Sequence, residues 1–271
     1  MLTRNNRHGV RVSLDQPDQK VKSQTLTHDA FLGGRLTVSQ PRNGFRAGLD
    51  SVLLGAAVRI GTQTLLDLGA GVGAAGLVAL AHDDGLSATL VERDAQMLAL
   101  AEANIEANGF TTRARTILLD VTAKGAERSA AGLGSDSYGA VIANPPFFDA
   151  AAGTRAAAPR ADARHMDEGA LDLWVRTAAT SAAPGGEIVF VYPAAGLGPL
   201  LAAFDQRFGA ITILPLCPRP GEPASRVLAR AVKGSRAPLT LLASRPIHAD
   251  AGRAFTPEFD AILKGMVRLD W

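Results

Sequence analysis

Cysteine is nearly absent from the sequence: Cys217 is the only one among 271 residues. A single cysteine excludes a disulfide within the chain and a zinc site built from several cysteines. No apolar stretch approaches the roughly 20 residues that a membrane-spanning helix needs. The charged N-terminal residues are not followed by an apolar segment of the signal-peptide type. We therefore expect a cytoplasmic protein that does not bind a membrane.

Aromatic residues are also scarce, at 5%, whereas 47% of the residues are hydrophobic. One sizeable core can therefore form from small and aliphatic side chains. Residues 1–46 contain eight Lys or Arg against three Asp or Glu, residues 217–253 seven against two, and residues 47–216 eleven against eighteen. Basic flanks around an acidic middle suit a domain whose two ends bind a polyanion, although ordinary solvated loops would give the same counts.

Strands and helices are predicted to alternate from residue 50 onward. The predicted strands are 64–68, 88–92, 115–119, 138–142, 187–192, 211–216 and 226–232. The predicted helices are 51–60, one that ends near residue 81, one that runs from an Asp94 cap to Asn108, and 171–183. This alternation predicts an α/β fold with a doubly wound, mostly parallel, seven-stranded sheet and helices on both faces. Residues 1–45 are expected to be a basic lead-in, and residues 46–271 the domain.

Polar residues follow four of the predicted strands at the point where each strand ends. These residues are Asp67 with the glycines at 69, 71 and 73, then Glu92, Asp120 and Asn144. Open α/β sheets bind ligands at the carboxyl ends of their strands. Glycine lets the backbone approach a ligand closely, and a carboxylate such as Glu92 can accept both hydroxyls of a ribose. The sequence therefore predicts one ligand site at this edge of the sheet.

The glycine loop alone fits two kinds of cofactor. Residues 71–76 match the G-x-G-x-x-G dinucleotide pattern, and Glu92 stands near the expected position of its ribose acid, so a nicotinamide-dependent oxidoreductase is one hypothesis. An acid at Asp67 would sit poorly beside a pyrophosphate, whereas it suits a cationic ligand such as S-adenosylmethionine. A dehydrogenase also does not require Asn144 and its prolines. A non-catalytic RNA-binding module is a further hypothesis, which the intact glycine loop disfavours.

With these residues in place, the chain resembles the class I, Rossmann-like, S-adenosylmethionine-dependent methyltransferases over about residues 40–232. Asn144-Pro-Pro-Phe147 resembles the N-P-P-[YF] signature of methyltransferases that act on planar nitrogen. By this resemblance Glu92 binds the ribose and Asp120 the adenine amine of the cofactor, and no metal is expected. The cofactor-binding set that it implies is Asp50, Asp67, Gly69, Ala70, Gly71, Gly73, Glu92, Arg93, Asp120, Val121 and Asn144.

A narrower resemblance rests on residues 40–56, on Arg164-His165 and on residues 225–228. They are similar to the tRNA adenine-N6 methyltransferases that modify an anticodon-loop adenine of a valine tRNA. This resemblance implies RNA, most specifically tRNA, as the partner, with Asp50 and Arg46 beside the methionine part of the cofactor and residues 31–36 and 219–236 facing RNA. The implied substrate-binding residues are Arg35, Phe147, Arg164, His165 and Arg219. The chain departs from this family in having Phe147 rather than Tyr and a longer N-terminal lead-in.

The catalytic residues implied by the signature are Asn144, Pro145 and Phe147. The Asn144 side-chain oxygen and the Pro145 carbonyl can each accept one N–H of an adenine amine, and Phe147 can stack on a base swung out of its loop. A simple turn with both Phe147 and Phe148 in the core is the structural alternative, and a lone loop histidine such as His165 is often incidental. The same tetrapeptide also occurs in methyltransferases of release-factor glutamine and of guanine N2 in ribosomal RNA. The sequence leaves monomer and weak dimer open.

Overall fold

The computed structural model describes residues 25–44, 46–146 and 169–271. Phe147, Phe148, Arg164 and His165 lie outside these residues. The strands are β1 Leu26–Phe31, β2 Leu36–Pro41, β3 Thr64–Leu68, β4 Ser87–Glu92, β5 Ala114–Leu118, β6 Tyr138–Ala143, β7 Ala182–Pro193, β8 Phe208–Cys217, β9 Arg226–Lys233, β10 Thr240–Leu241 and β11 Arg245–Pro246. The helices are α1 Leu49–Ala56, α2 Ala74–His82, α3 Ala95–Ala107, α4 Gly125–Ala130, α5 Ala170–Ser181, α6 Leu197–Asp205 and α7 Pro257–Leu263.

The central sheet has the strand order β10-β8-β9-β7-β6-β3-β4-β5, and β11 pairs with β8. Strand β9 is antiparallel to both of its neighbours, and the remaining pairs are parallel. The predicted doubly wound, mostly parallel sheet of seven strands is confirmed, and the two-residue strands β10 and β11 extend it. Strand order reverses between β3 and β6, which is where such sheets bind ligands.

Strand β7 begins five residues earlier than the sequence indicated. Helix α5 ends at Ser181, and Ala182 already pairs with Tyr138, but the next paired residue is Glu187 opposite Ala140. Pro184 has no N–H to donate, and Gly185 has a φ of 75°, so the residues between these pairs leave the regular register. Residues 184–186, which follow the predicted helix 171–183, therefore form an irregularity at the start of the strand.

Helices cover both faces of the sheet, as predicted. One buried cluster joins the sheet to α1, α2, α3 and α7 through residues such as Leu53, Leu77 and Phe259. The other joins it to α5 and α6 through Trp174 and Phe204. Within the described ranges, no helix is long and apolar enough to cross a membrane.

The hairpin of β1 and β2 was not expected from the sequence. Its apolar residues Leu36 and Val38 are buried in the first cluster, so it packs on the domain. Two side-chain amides, one on α3 and one on the residue that caps its C-terminal end, pair with the free edge of β2. Asn104 accepts the N–H of Ser39 at 2.8 Å and donates to its carbonyl at 3.0 Å, and Asn108 does the same with Thr37 at 3.0 and 2.8 Å. These side chains take the place of a neighbouring strand.

Candidate active site

The register of the sheet brings the predicted strand-end residues to one edge. Strands β6, β3, β4 and β5 are consecutive and parallel, so their carboxyl ends lie side by side. Leu68 pairs with Ala143, so the next residue of each strand, Gly69 and Asn144, begins its loop at the same level of the sheet. Neighbouring strands are roughly 4.8 Å apart. The glycine loop and the Asn-Pro-Pro corner are therefore adjacent.

Asp67 is buried below this edge, with 2% of its surface exposed. Its Oδ2 accepts the N–H of Gly76 at 2.9 Å, which ties the end of β3 to the first turn of α2. Burial raises the pKa of Asp67 to about 7, the hydrogen bond from Gly76 opposes this rise, and the nearby charge of Glu92 adds to it. Burial therefore favours the neutral form of the Asp67 carboxyl relative to an exposed one.

The three glycines of the loop are required for different reasons. A Cβ on Gly69 would lie 2.3 Å from the ring of Trp174, and one on Gly73 would lie 2.8 Å from the side chain of Leu90. Gly71 has a φ of 56°, and a Cβ there would meet no atom within 4 Å. Packing therefore explains Gly69 and Gly73, whereas the backbone at Gly71 is open to an incoming ligand.

Trp174 belongs to the site although no sequence pattern indicated it. This residue lies on α5, is buried, and packs its ring on the first glycine of the loop. The loop is held from the other side as well, because the Ala70 N–H donates to the Val91 carbonyl at 2.9 Å and Asn104 Nδ2 donates to the Val72 carbonyl at 3.0 Å. The loop conformation is thus fixed by residues from three separate elements.

Glu92 lies at the centre of a set of main-chain amides. Its Oε2 accepts the N–H of Gly71 at 2.9 Å, and its Oε1 accepts those of Arg93 at 2.8 Å and Asp94 at 2.9 Å. A carboxylate has about four lone-pair positions, so this half-buried group retains capacity for a further donor. Its orientation at the loop suits a hydroxyl-bearing ligand.

Asp120 borders an open cavity of about 640 Å³. Its Oδ1 accepts hydrogen bonds from the N–H and hydroxyl of Thr122 at 2.8 and 2.7 Å, and Arg93 Nη1 lies 3.4 Å from Oδ2. Partial burial raises the pKa of Asp120, but the bonds from Thr122 and the Arg93 charge outweigh it and lower the pKa overall. Val121 is buried, and its carbonyl accepts the hydroxyl of Thr177 at 2.7 Å. The cavity is lined by Arg93, Asp94, Leu118, Leu119, Asp120, Ala123 and Glu127.

A second cavity, of about 200 Å³, lies beside Asn144. Asn144 is half-buried, and Pro145 is buried. Arg226 Nε lies 2.7 Å from Asp50 Oδ1. Burial raises the pKa of Asp50, and the charge of Arg226 opposes this rise. The residues that line the cavity are Arg46, Gly48, Leu49, Asp50, Ser51, Asn144 and Arg226.

Three basic residues implied by the narrower resemblance make main-chain or ionic contacts within the protein. Arg46 pairs with Asp29 at 2.6 Å and lines the second cavity. Arg35 donates to the carbonyls of Ala81 at 2.6 Å and Gly265 at 3.0 Å. Since Ala81 is near the C-terminal end of α2 and the glycine loop precedes its N-terminal end, the structure does not bring Arg35 to this site. Arg219 is in the β8–β9 loop and donates to the Gly252 carbonyl at 2.9 Å.

The basic stretch 219–236 is largely engaged by the protein itself. Besides Arg226, Lys233 pairs with Asp136 and donates to the Ala182 carbonyl at 2.8 Å. The Arg230 guanidinium lies over the ring of Trp271, 4.7 Å from its centroid. These side chains on β9 stabilise the fold, so the loops that flank the strand are the parts of this stretch nearest to solvent.

Comparisons with known proteins agree with this arrangement. Residues 50–212 match the family model of the methyltransferase small domain. A relative from Vibrio vulnificus, named tRNA1(Val) (adenine(37)-N6)-methyltransferase, is 28% identical over 77% of this chain and 84% of its own length. A protein of the same name from Shewanella loihica is 31% identical over 62% of this chain and 69% of its own. A solved structure described as a predicted O-methyltransferase from Agrobacterium tumefaciens is 32% identical, with a TM-score of 0.68 over 81% of this chain and 98% of its own.

Proposed function

The chain belongs to the methyltransferase small domain family, and we propose that it transfers a methyl group from S-adenosylmethionine to the exocyclic N6 amine of an adenine in tRNA. The target that we favour is an adenine of the anticodon loop. The observation that carries this proposal is the position of Asn144-Pro145-Pro146, which directly follows β6 beside the glycine loop. The curated relatives named for adenine-N6 methylation of tRNA support the choice of acceptor.

The residues at the strand ends fit S-adenosylmethionine. The open backbone at Gly71 and the unused hydrogen-bond acceptor position of the Glu92 carboxylate suit its ribose. The cavity beside Asp120 suits its adenine. Asp50 Oδ1 is buried and has no hydrogen-bond partner among the described residues, so it suits the cationic methionine end. When bound, this cofactor supplies an electrophilic methyl group on a sulfonium.

Asn144 and Pro145 would orient the acceptor nitrogen. The lone pair of an exocyclic amine is delocalised into its ring, so the principal task is alignment of that lone pair. A side-chain amide oxygen and a main-chain carbonyl can accept the two N–H groups, and they stabilise the positive charge that develops on nitrogen. Asn144 needs no particular protonation state for this role. Two consecutive prolines restrict the backbone, which fixes the direction of the Pro145 carbonyl.

The location of Arg219 supports a nucleic-acid acceptor. Strand β8 runs parallel to β7, because both are antiparallel to β9, so the β8–β9 loop lies at the same edge as Asn144. This loop carries Arg219, which is partly exposed. Release-factor glutamine would present the same planar nitrogen but would gain nothing from basic residues that suit phosphates.

Incubation of the protein with labelled S-adenosylmethionine and separate pools of unmodified tRNA, ribosomal RNA and release factor tests this function. Mass spectrometry of the digested products identifies the modified nucleoside or amino acid. The expected result is N6-methyladenosine in tRNA. Label in N2-methylguanosine, in a ribose 2′-O-methyl group or in glutamine would contradict the adenine acceptor and keep the methyltransferase activity.

A further inference from the structure

A short hairpin, residues 247–256, stands at the same edge of the sheet as Asn144. It directly follows β11, which runs parallel to β8, and β8 in turn has the direction of β7 and β6. The N–H of His248 donates to the Pro218 carbonyl at 2.9 Å, so the hairpin continues beyond the end of β8. Four strand spacings separate β11 from β6, which corresponds to roughly 19 Å. A substrate that spans several nucleotides can therefore reach both Asn144 and the hairpin.

Contacts on both sides fix the conformation of this hairpin. Its two arms are joined by a hydrogen bond from the Thr256 N–H to the Ile247 carbonyl at 3.0 Å, and the Ile247 side chain is buried in the first core cluster. At the turn, the Arg219 guanidinium donates to the Gly252 carbonyl at 2.9 Å. Helix α7 begins immediately after the second arm. The hairpin therefore presents its remaining side chains from a backbone that is already in place.

His248 and Phe255 are opposite each other in the hairpin, and their rings are stacked. The ring centroids are 4.8 Å apart, and the ring planes differ by 23°. The Nδ1 atom of His248 is buried and has no hydrogen-bond partner among the described residues, so the contact with Phe255 rather than this atom orients the ring. Phe255 is 37% exposed, whereas every other phenylalanine in the described ranges is buried. Phe255 is thus a supported ring that a ligand at this edge can contact.

We propose that Phe255 is a stacking surface for an unpaired base of the RNA substrate, several nucleotides away from the target adenine. This inference rests on the proposed function. The hairpin contains one acidic and one basic residue, Asp250 and Arg253, so its own charges balance and attraction to phosphate does not distinguish it. Stacking requires only an accessible aromatic ring, and proteins commonly recognise unpaired RNA bases in this way. A base held on Phe255 would orient the loop whose adenine reaches Asn144.

A double-mutant cycle between the ring and a single base tests this assignment. The tRNAs would each carry one abasic nucleotide in the anticodon loop, at successive positions other than the target, and their dissociation constants would be measured with the wild-type protein and with Phe255→Leu. The variant should bind the complete tRNA roughly 5- to 50-fold more weakly. At one loop position, the abasic nucleotide should weaken wild-type binding by a similar factor and have little further effect in Phe255→Leu.

Two further variants serve as controls. Phe255→Trp retains an aromatic ring, so it should keep the affinity for the complete tRNA and the coupling to the same loop position. Leu241→Ala shortens a side chain that is 65% exposed but lies away from this edge, since Leu241 pairs with Ile213 in the middle of β8. This variant should leave every tRNA affinity unchanged. Because stacking releases no counterions, Phe255→Leu should also keep the salt dependence of binding that the wild type has.

Independent effects of Phe255→Leu and of every abasic position would overturn the assignment. Weaker binding of release factor by Phe255→Leu, with no change for tRNA, would also overturn it and would assign the ring to a protein partner. The cycle measures binding without methyl transfer, so coupling in the absence of N6-methyladenosine formation would keep the stacking contact and remove the proposed function. Formation of N6-methyladenosine without coupling would keep the proposed function alone, and failure of the wild type to bind tRNA would remove both.

Discussion

The Asp67→Asn variant should gain stability relative to the wild type as the pH rises. The difference in free energy of unfolding, variant minus wild type, is expected to be larger at alkaline pH than at acidic pH. Asn retains an oxygen that can accept the Gly76 N–H and carries no charge into this buried position. The pKa of Asp67 is raised from 3.8 to about 7, so the folded protein holds a proton that the unfolded chain has already released. This contribution to stability is fully present below the pKa of the unfolded chain and is lost as the pH rises through 7.

The size of the effect follows from the same shift. A shift of one unit in pKa corresponds to about 1.36 kcal/mol. Integration of the Asp67 shift from pH 5 to pH 8 predicts that the wild type loses roughly 2–3 kcal/mol of its free energy of unfolding. This value is a ceiling, because relaxation of the glycine loop and entry of water reduce the cost of burying the charge. The free energy of unfolding of Asp67→Asn, minus that of the wild type, should therefore increase by at least about 1 kcal/mol from pH 5 to pH 8.

Urea unfolding of both proteins at the two pH values measures this difference. Asp83→Asn is the matched control, since Asp83, like Asp67, accepts main-chain hydrogen bonds, in this case from the N–H groups of Gly61 and Gly85, each at 2.9 Å. These bonds lower the pKa of Asp83, so its stabilising effect is lost only in acid and is constant between pH 5 and pH 8. Parallel pH profiles for Asp67→Asn and the wild type would refute the assigned ionisation of Asp67.

Three further substitutions give separable results. Asn144→Ala should lower kcat roughly 100-fold and change the calorimetric Kd for S-adenosylmethionine far less, since its principal effect is to remove an acceptor for the target amine; unchanged turnover would refute its role. Gly69→Ala should lower the free energy of unfolding by roughly 1–3 kcal/mol through its positive φ and the contact with Trp174, which thermal denaturation would show. Asn104→Ala should lower the free energy of unfolding by roughly 1–3 kcal/mol. It should also raise the Kd for S-adenosylmethionine, because the Val72 carbonyl of the glycine loop loses its hydrogen bond.

The central sheet could be predicted because its strands are short apolar runs bounded by turn residues. Strands buried on both faces are nearly continuous in hydrophobicity, as in residues 64–68 and 138–142. A parallel sheet then places the ends of these strands at one edge, so the proximity of Asp67, Glu92 and Asn144 follows from topology. The predicted strand boundaries were less accurate where pairing with residues distant in the sequence extends a strand, as at the start of β7.

The contacts that complete the site depend on residues far apart in the sequence. The hairpin was missed because β1 contains Thr27, His28 and Asp29, whose polar side chains give a weak local signal. The amides of Asn104 and Asn108 that hold it come from α3 and its C-terminal cap. The packing of Trp174 on Gly69 and the pairing of Asp50 with Arg226 likewise join separate elements, and no local pattern encodes them.

Nucleoside analysis of a tRNA is the most direct measurement of the central claim. An unmodified tRNA transcript with adenosine in its anticodon loop would be incubated with the protein and S-adenosylmethionine, alongside a transcript whose anticodon-loop adenosines are replaced by guanosine. We predict N6-methyladenosine in the first transcript and none in the second. Equal methylation of both transcripts, or a methyl group on any other nucleoside, would contradict the account.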